Sequence, residues 1–266
     1  MMKHRYGLIG RRLGHSYSQE YFTRKFAELG LKDHSYALFE LPSVEGLREW
    51  TLREGLSGFN VTVPYKMAVV GELDALDEVA AEMGAVNCVT VEDGRLIGHN
   101  TDAPAFGQTL DGGAWKVEDG KREAFVLGTG GAARAVAYAL GQRGIPHTFV
   151  SRHPEQHGNA ISYAQLTHLL AQACIDTGIL VVNATPVGMY PETGRTPLNL
   201  SSSAAPLSGV TFYDLVYNPS PTLLLRQAAE RGACTKDGLE MLHLQADMSW
   251  HFWKKLSRHN AQFLIF

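Results

Sequence analysis

Gly128-Thr129-Gly130-Gly131-Ala132 constrains the fold of this chain more than any other segment. It follows an apolar, strand-like run, Glu123 to Leu127, and opens a helical run of small residues that reaches about Arg143 and stops at Gly144. A glycine turn so placed reads as the first βα connection of a doubly wound sheet. Glycines let the backbone come close to a pyrophosphate, and the helix N-terminus behind them offers unpaired N–H groups and a favourable dipole. The spacing is a variant of G-x-G-x-x-G with Ala133 in the place of the third glycine. A tight strand–helix turn without ligand is the plainer alternative. The runs Pro146–Val150, Ile179–Asn183, Val210–Leu215 and Ala233–Lys236 read as further strands, with a helix over Pro221–Arg231, which is the beat of a dinucleotide-binding domain.

At 266 residues the chain has room for a second domain. Ahead of the glycine turn, strands are expected at Tyr6–Ile9, His34–Glu40 and Phe59–Val63. Helices are expected at Ser18–Leu29, stopped by Gly30, and at Ser43–Glu54 with Ser43 as N-cap. Ala85–Val91 and Arg95–His99 flank Asp93-Gly94, a strong hairpin signal. The whole is therefore α/β: an N-terminal α/β domain, then a doubly wound Rossmann-type domain. The polar stretch from Asp111 to Lys121 marks the boundary loop. A last helix over Leu239–Leu256 carries Met241, Leu242, Trp250 and Trp253.

Composition excludes several classes. A net charge of −3 supplies no broad positive field, so nucleic acid is not an expected partner. No run of about 18 apolar residues predicts a membrane span, and the N-terminus lacks the apolar core of a secretory signal. Cys88, Cys174 and Cys234 are odd in number and far apart, which suits reduced thiols in the cytoplasm. The histidines form no H-E-x-x-H and the cysteines no C-x-x-C, so no metal is expected.

The chemistry-bearing residues fall into three groups. Val150-Ser151-Arg152-His153 ends the strand after the glycine turn with an arginine where an NAD enzyme carries an acid. A guanidinium there suits the 2′-phosphate of NADP; a solvated surface arginine is the alternative. Gly58-Phe59-Asn60-Val61-Thr62-Val63-Pro64-Tyr65-Lys66 reads as a strand entering a rigid corner, its polar groups aimed outward and Lys66 held at the mouth of a cleft. Asn100-Thr101-Asp102 starts a helix, and its residues are either helix caps or a partner for Lys66. An ammonium beside a carboxylate can stabilise charge developing on a ketone oxygen and supply its proton. The third group, His15-Ser16-Tyr17-Ser18, puts two hydroxyls near a helix start, where they either cap the helix or meet a carboxylate. Asn60, Thr62 and Asn87 have the chemistry to bond ring hydroxyls.

Taken together, these segments resemble the shikimate dehydrogenase family. The resemblance extends through Gly84–Asn87, Asn183-Ala184-Thr185-Pro186-Val187-Gly188-Met189, Tyr213-Asp214-Leu215-Val216-Tyr217-Asn218-Pro219 and Gly238-Leu239-Glu240-Met241-Leu242 with Gln245. It implies reversible NADPH-dependent reduction of 3-dehydroshikimate to shikimate, in the biosynthesis of chorismate and the aromatic amino acids. Lys66 and Asp102 take the place of the catalytic dyad. Ser16 and Ser18 would hold the substrate carboxylate, and Asn60, Thr62, Asn87, Tyr217 and Gln245 would line its pocket. Gly128, Thr129, Gly130, Gly131, Ala132, Ser151, Arg152, Leu215 and Gly238 fall on NADP positions. The implied layout is a substrate domain over 1–103, with 239–266 returning to it, an NADP domain over 104–238, and a cleft between them. The implied molecule is a cytoplasmic monomer or homodimer acting on a small substrate, without nucleic acid, membrane or metal. The family's Asn-Arg-Thr at the 2′-phosphate is Ser151-Arg152-His153 here, and prolines that flank the family's serine motif are missing around Ser16.

Other readings are an NAD-dependent quinate/shikimate dehydrogenase, opposed by the acid-free strand end, and a catalytically silent nucleotide sensor, opposed by the paired Lys66 and Asp102. Tyr21 and Lys25 fit the Tyr-x-x-x-Lys of short-chain dehydrogenases but precede the glycine turn, so they read as ordinary helix residues.

Overall fold

The computed structural model describes residues 4–14, 16–111, 115, 122–172, 178–201 and 205–262, with side chains to residue 254. His15, Cys174 and all of the expected boundary loop from Gly112 to Lys121 except Trp115 lie outside the described residues. The chain divides into two compact units, 1–101 with 245–266, and 102–244. Asp102 thus begins the second unit, whereas the sequence placed the break after residue 103.

The first unit is a six-stranded mixed sheet in the order β2-β1-β3-β5-β6-β4. Its strands are β1 (His4–Gly10), β2 (His34–Glu40), β3 (Gly58–Val61), β4 (Ala75–Leu76), β5 (Cys88–Glu92) and β6 (Arg95–His99). β1 pairs in parallel with β2 and β3, while β3–β5 and the β5–β6 hairpin are antiparallel. The hairpin turns at Asp93 and Gly94, both with positive φ, as the Asp-Gly pair predicts. Helix α1 (Tyr17–Glu28) connects β1 to β2, α2 (Leu47–Glu54) leads into β3, and α3 (Glu78–Met83) precedes β5. α2 starts four residues later than expected. Ser43 caps no helix; its hydroxyl accepts from Glu45 N in a local turn, and Gly46 in the left-handed region is the N-cap.

Two apolar layers cover this sheet, and strand alternation sorts residues between them. Ile9, Phe59 and Val61 face the layer with Val69, Val86 and Leu96, while Tyr6, Leu8 and Tyr36 face the one with Phe22, Trp250 and Trp253. Gly58 is required on the second face, because a Cβ there would lie 2.5 Å from Trp253 Nε1. That nitrogen donates to Val89 O at 3.0 Å.

The second unit is a six-stranded sheet, parallel throughout, in the order β12-β11-β10-β7-β8-β9. The strands are β7 (Glu123–Leu127), β8 (His147–Val150), β9 (Ala160–Ile161), β10 (Ile179–Asn183), β11 (Val210–Asp214) and β12 (Cys234–Lys236). Helices α4 (Asp102–Thr109), α5 (Gly131–Gly141), α6 (Tyr163–Ala171) and α7 (Leu223–Glu230) belong to this unit. Helix α8 (Leu239–Gln262) begins here and passes into the first unit at Gln245. Chain order reverses about β7, which lies between β8 and β10; that is where parallel sheets place ligands. Among the described residues, no helix is long and apolar enough to cross a membrane.

Candidate active site

In the first unit, Asn60, Asn87 and Gln245 are tied into one polar cluster, while Ser16 and Ser18 sit together at the start of α1. Ser16 caps α1, its hydroxyl accepting from Ser18 N at 3.3 Å. The loop ahead of it is held without the flanking prolines: Leu13 N donates to Glu40 Oε1 and Ser16 N to Leu13 O. On β2, the buried hydroxyl of Tyr36 donates to Asn60 Oδ1 at 2.9 Å. Burial pushes Tyr36 well above the usual phenol range. Asn60 Nδ2 donates to Asn87 O at 3.1 Å and to Ser249 Oγ at 2.9 Å. The outward aim expected of this segment is therefore wrong for Asn60. β3 alternation turns its side chain toward the α1 and α8 layer, where it is only 6% exposed.

Asn87 is buried as well. Its amide donates to Thr101 Oγ1 at 2.9 Å and accepts from Thr101 N at 2.7 Å. Asn100 Nδ2 donates to Ala85 O, so the segments around Asn87 and Thr101 are clipped together. Val86 N donates to the carbonyl of Lys66 at 2.7 Å, which anchors the lysine's backbone beside the same segment. β3 ends at Val61, so Thr62 and Lys66 lie in the turn that follows, both half-buried, with Thr62 N bonded to Ile9 O. Asp102 is the buried first residue of α4. Gln245 is half-buried on α8, and its carbonyl accepts from Ser249 Oγ at 2.9 Å.

In the second unit, the predicted cofactor residues lie at the C-terminal ends of neighbouring strands. Gly128 has φ +98, which glycine adopts without strain, and a Cβ there would lie 2.9 Å from Thr185 Cγ2. Gly130 is the N-cap of α5 with no side-chain cap, and a Cβ on it would meet nothing within 4 Å. Thr129, Gly130, Gly131 and Ala132 thus frame an open turn at a helix N-terminus, a cradle that fits a dinucleotide's pyrophosphate. At the end of β8, Ser151 Oγ accepts from His153 N, and Arg152 is exposed near Tyr163. At the end of β12, Gly238 is buried against Leu215, where a Cβ would lie 2.1 Å from the carbonyl oxygen. Leu215 and Tyr217 follow β11, both half-buried.

Residues 8–89 match the model of the shikimate dehydrogenase substrate binding domain. The chain is 37% identical to the shikimate dehydrogenase (NADP(+)) of Shouchella clausii, over 95% of this chain and 93% of that one. The chain belongs to the shikimate dehydrogenase family. Its structure is similar to that of shikimate 5-dehydrogenase from Thermus thermophilus in complex with NADP(H) and shikimate, at 32% identity and a TM-score of 0.79, covering 94% of this chain and 93% of that one. It is also similar to quinate dehydrogenase from Corynebacterium glutamicum in complex with NAD, at 27% identity and a TM-score of 0.79, covering 99% of each.

This family member also holds polar residues that motif reading left without a role. Asp214 is fully buried at the end of β11; Oδ1 accepts from Asn183 Nδ2 at 2.8 Å and Val216 N at 3.0 Å, and Oδ2 from Thr222 Oγ1 at 2.7 Å. Burial pushes its carboxyl up to about 6, against the pull of those three donors. Asn183 Oδ1 in turn accepts from Thr185 N and Oγ1. This hub shapes the two loops that carry Thr185 and Leu215. Tyr36 and Ser249 were missed in the first unit. Tyr36 sits in the expected strand His34–Glu40, where no motif marks it, and the only available signal for Ser249 was its position one helical turn after Gln245.

Proposed function

We propose that this chain catalyses the reversible NADPH-dependent reduction of 3-dehydroshikimate to shikimate, in the biosynthesis of chorismate and the aromatic amino acids. The observation that carries the reading is the open glycine turn, followed one strand later by Arg152 with no acid beside it, in a chain whose kinship to NADP-dependent enzymes runs through both units. We assign residues 1–103 with 239–266 to substrate binding and 104–238 to NADP binding. We place the enzyme in the cytoplasm, as a monomer or homodimer.

The residues suit the cofactor. Gly128, Thr129, Gly130, Gly131 and Ala132 would hold the pyrophosphate, Ser151 and Arg152 the 2′-phosphate, and Leu215 and Gly238 would border the nicotinamide. NADPH supplies the hydride when bound. Ser16 and Ser18 orient the substrate carboxylate; Asn60, Thr62, Asn87, Tyr217 and Gln245 orient its ring. Lys66 stabilises the negative charge that develops on the carbonyl oxygen and delivers its proton, with Asp102 biasing the lysine's charge and direction. In the oxidative direction the same group takes that proton back.

Initial rates test this reading: shikimate or quinate against NADP or NAD, followed at the nicotinamide absorbance. Shikimate with NADP is expected to be the best pair by at least about tenfold in kcat/KM. Faster turnover of quinate with NAD would replace this reading with the quinate/shikimate one. Turnover of neither substrate would leave nucleotide binding alone.

A further inference from the structure

The donor directions around Asn60 are fully determined, and they restrict what this residue can offer a ligand. Asn87 O is a backbone carbonyl and only accepts, so the atom 3.1 Å from it is the amide nitrogen. The second Nδ2 hydrogen goes to Ser249 Oγ. Tyr36 must then give its proton to Asn60 Oδ1. Ser249 gives its own proton to Gln245 O and so faces Asn60 as an acceptor, with Thr101 Oγ1 3.4 Å away as a further neighbour. The hydroxyl and amide protons therefore run one way, from Tyr36 through Asn60 to Ser249 and Gln245. Both N–H groups of Asn60 are used, and one lone pair of Oδ1 remains.

We propose that Tyr36 and Ser249 are positioning residues that fix the Asn60 amide so that it presents only an acceptor, selecting a ring hydroxyl that donates. The inference rests on the proposed shikimate activity and deepens it. Neither residue reaches the substrate in this scheme; each acts through Asn60. An amide freed from either tether could turn a donor toward the ligand, which would mismatch a donating hydroxyl and leave buried groups unpaired.

The test uses the full chain as Tyr36→Phe and Ser249→Ala, with initial rates in shikimate and NADP varied separately, and shikimate binding measured by calorimetry. Tyr36→Phe is expected to raise the KM and the dissociation constant for shikimate about tenfold, and Ser249→Ala about threefold, with KM for NADP unchanged. Should Tyr36→Phe not fold, Ser249→Ala carries the test alone, since it only trims one oxygen. Unchanged shikimate KM and binding in folded variants would overturn the proposal. So would a parallel rise in the KM for shikimate and for NADP, because that marks general loosening. A wild-type chain that neither binds nor oxidises shikimate would instead overturn the functional reading beneath it.

Discussion

The two units each build a six-stranded sheet, yet they bury polar groups in opposite ways. The first has a mixed sheet and places neutral groups inside: Tyr36, Asn60, Asn87, Thr101 and Ser249 satisfy one another. The second has a parallel sheet with strands that read as apolar runs, such as Ile179–Asn183, and buries a carboxylate, Asp214, at a strand end. A neutral network fixes donor and acceptor directions at little electrostatic cost. A buried carboxylate with three donors ties two loops together, but desolvation opposes it. The first arrangement suits recognition of an uncharged ring, the second the shaping of loops around a charged cofactor.

Four substitutions test this contrast. The largest effect is expected from Lys66→Ala: turnover should fall by about a thousandfold, while NADPH binding, followed by fluorescence titration, persists. Near-normal turnover would remove Lys66 from the proton-handling role and leave the first unit as a binding module only.

Asp214→Asn comes next. With its carboxyl at about 6 in the folded chain against an ordinary 3.8, the group takes up a proton on folding over that window. Its contribution to stability is fully present below about pH 4, where folded and unfolded chains are both protonated, and is lost as the pH rises through about 6. At neutral pH the ionised group therefore costs about 3 kcal/mol relative to acid. Urea titrations of wild type and variant should show their stability difference moving toward the variant by about that much between pH 4 and pH 7. A pH-independent difference would deny the buried charge.

Arg152→Glu should weaken NADPH by about 1.5–3 kcal/mol and leave NADH nearly unaffected, measured as the two KM values. Equal losses would mean that Arg152 shapes the strand end rather than meeting a phosphate. The smallest effect is expected from Gly130→Ala. The added Cβ meets nothing in the protein, so stability should change by less than about 1 kcal/mol. NADPH affinity should still drop by about tenfold, because the methyl occupies the approach to the turn. An unchanged affinity would move the pyrophosphate away from Gly130.

The legibility of the two units differs for the same physical reason. Parallel strands buried on both faces leave continuous apolar runs, and a βα turn needs glycines at set places, so β7, α5, β8, β10 and β11 were readable almost to the residue. The Asp93-Gly94 hairpin was legible because its positive φ values favour those residues. The short elements β4, β9 and α3 were not read, since two-residue strands carry no period and a six-residue helix barely more; the nine-residue α6 was also passed over, although Ser162 and Gln165 form a capping box at its start. The start of α2 was misplaced because Ser43 has the chemistry of a cap but closes a local turn instead.

The sequence alone determined the α/β class, the glycine turn, the arginine after it and the ordered set of motifs that mark the family. These are local properties: backbone freedom, strand periodicity and spacing along the chain. The direction of the Asn60 amide, its tethers Tyr36 and Ser249, and the link that Asp214 makes between Asn183 and Thr222 came from the folded packing. Such pairings join residues as far apart as Asn60 and Ser249, and a hydrogen bond's direction is set by every partner around it at once. No one-dimensional pattern encodes that condition, which arises only when the sheet and its helices close around the polar groups.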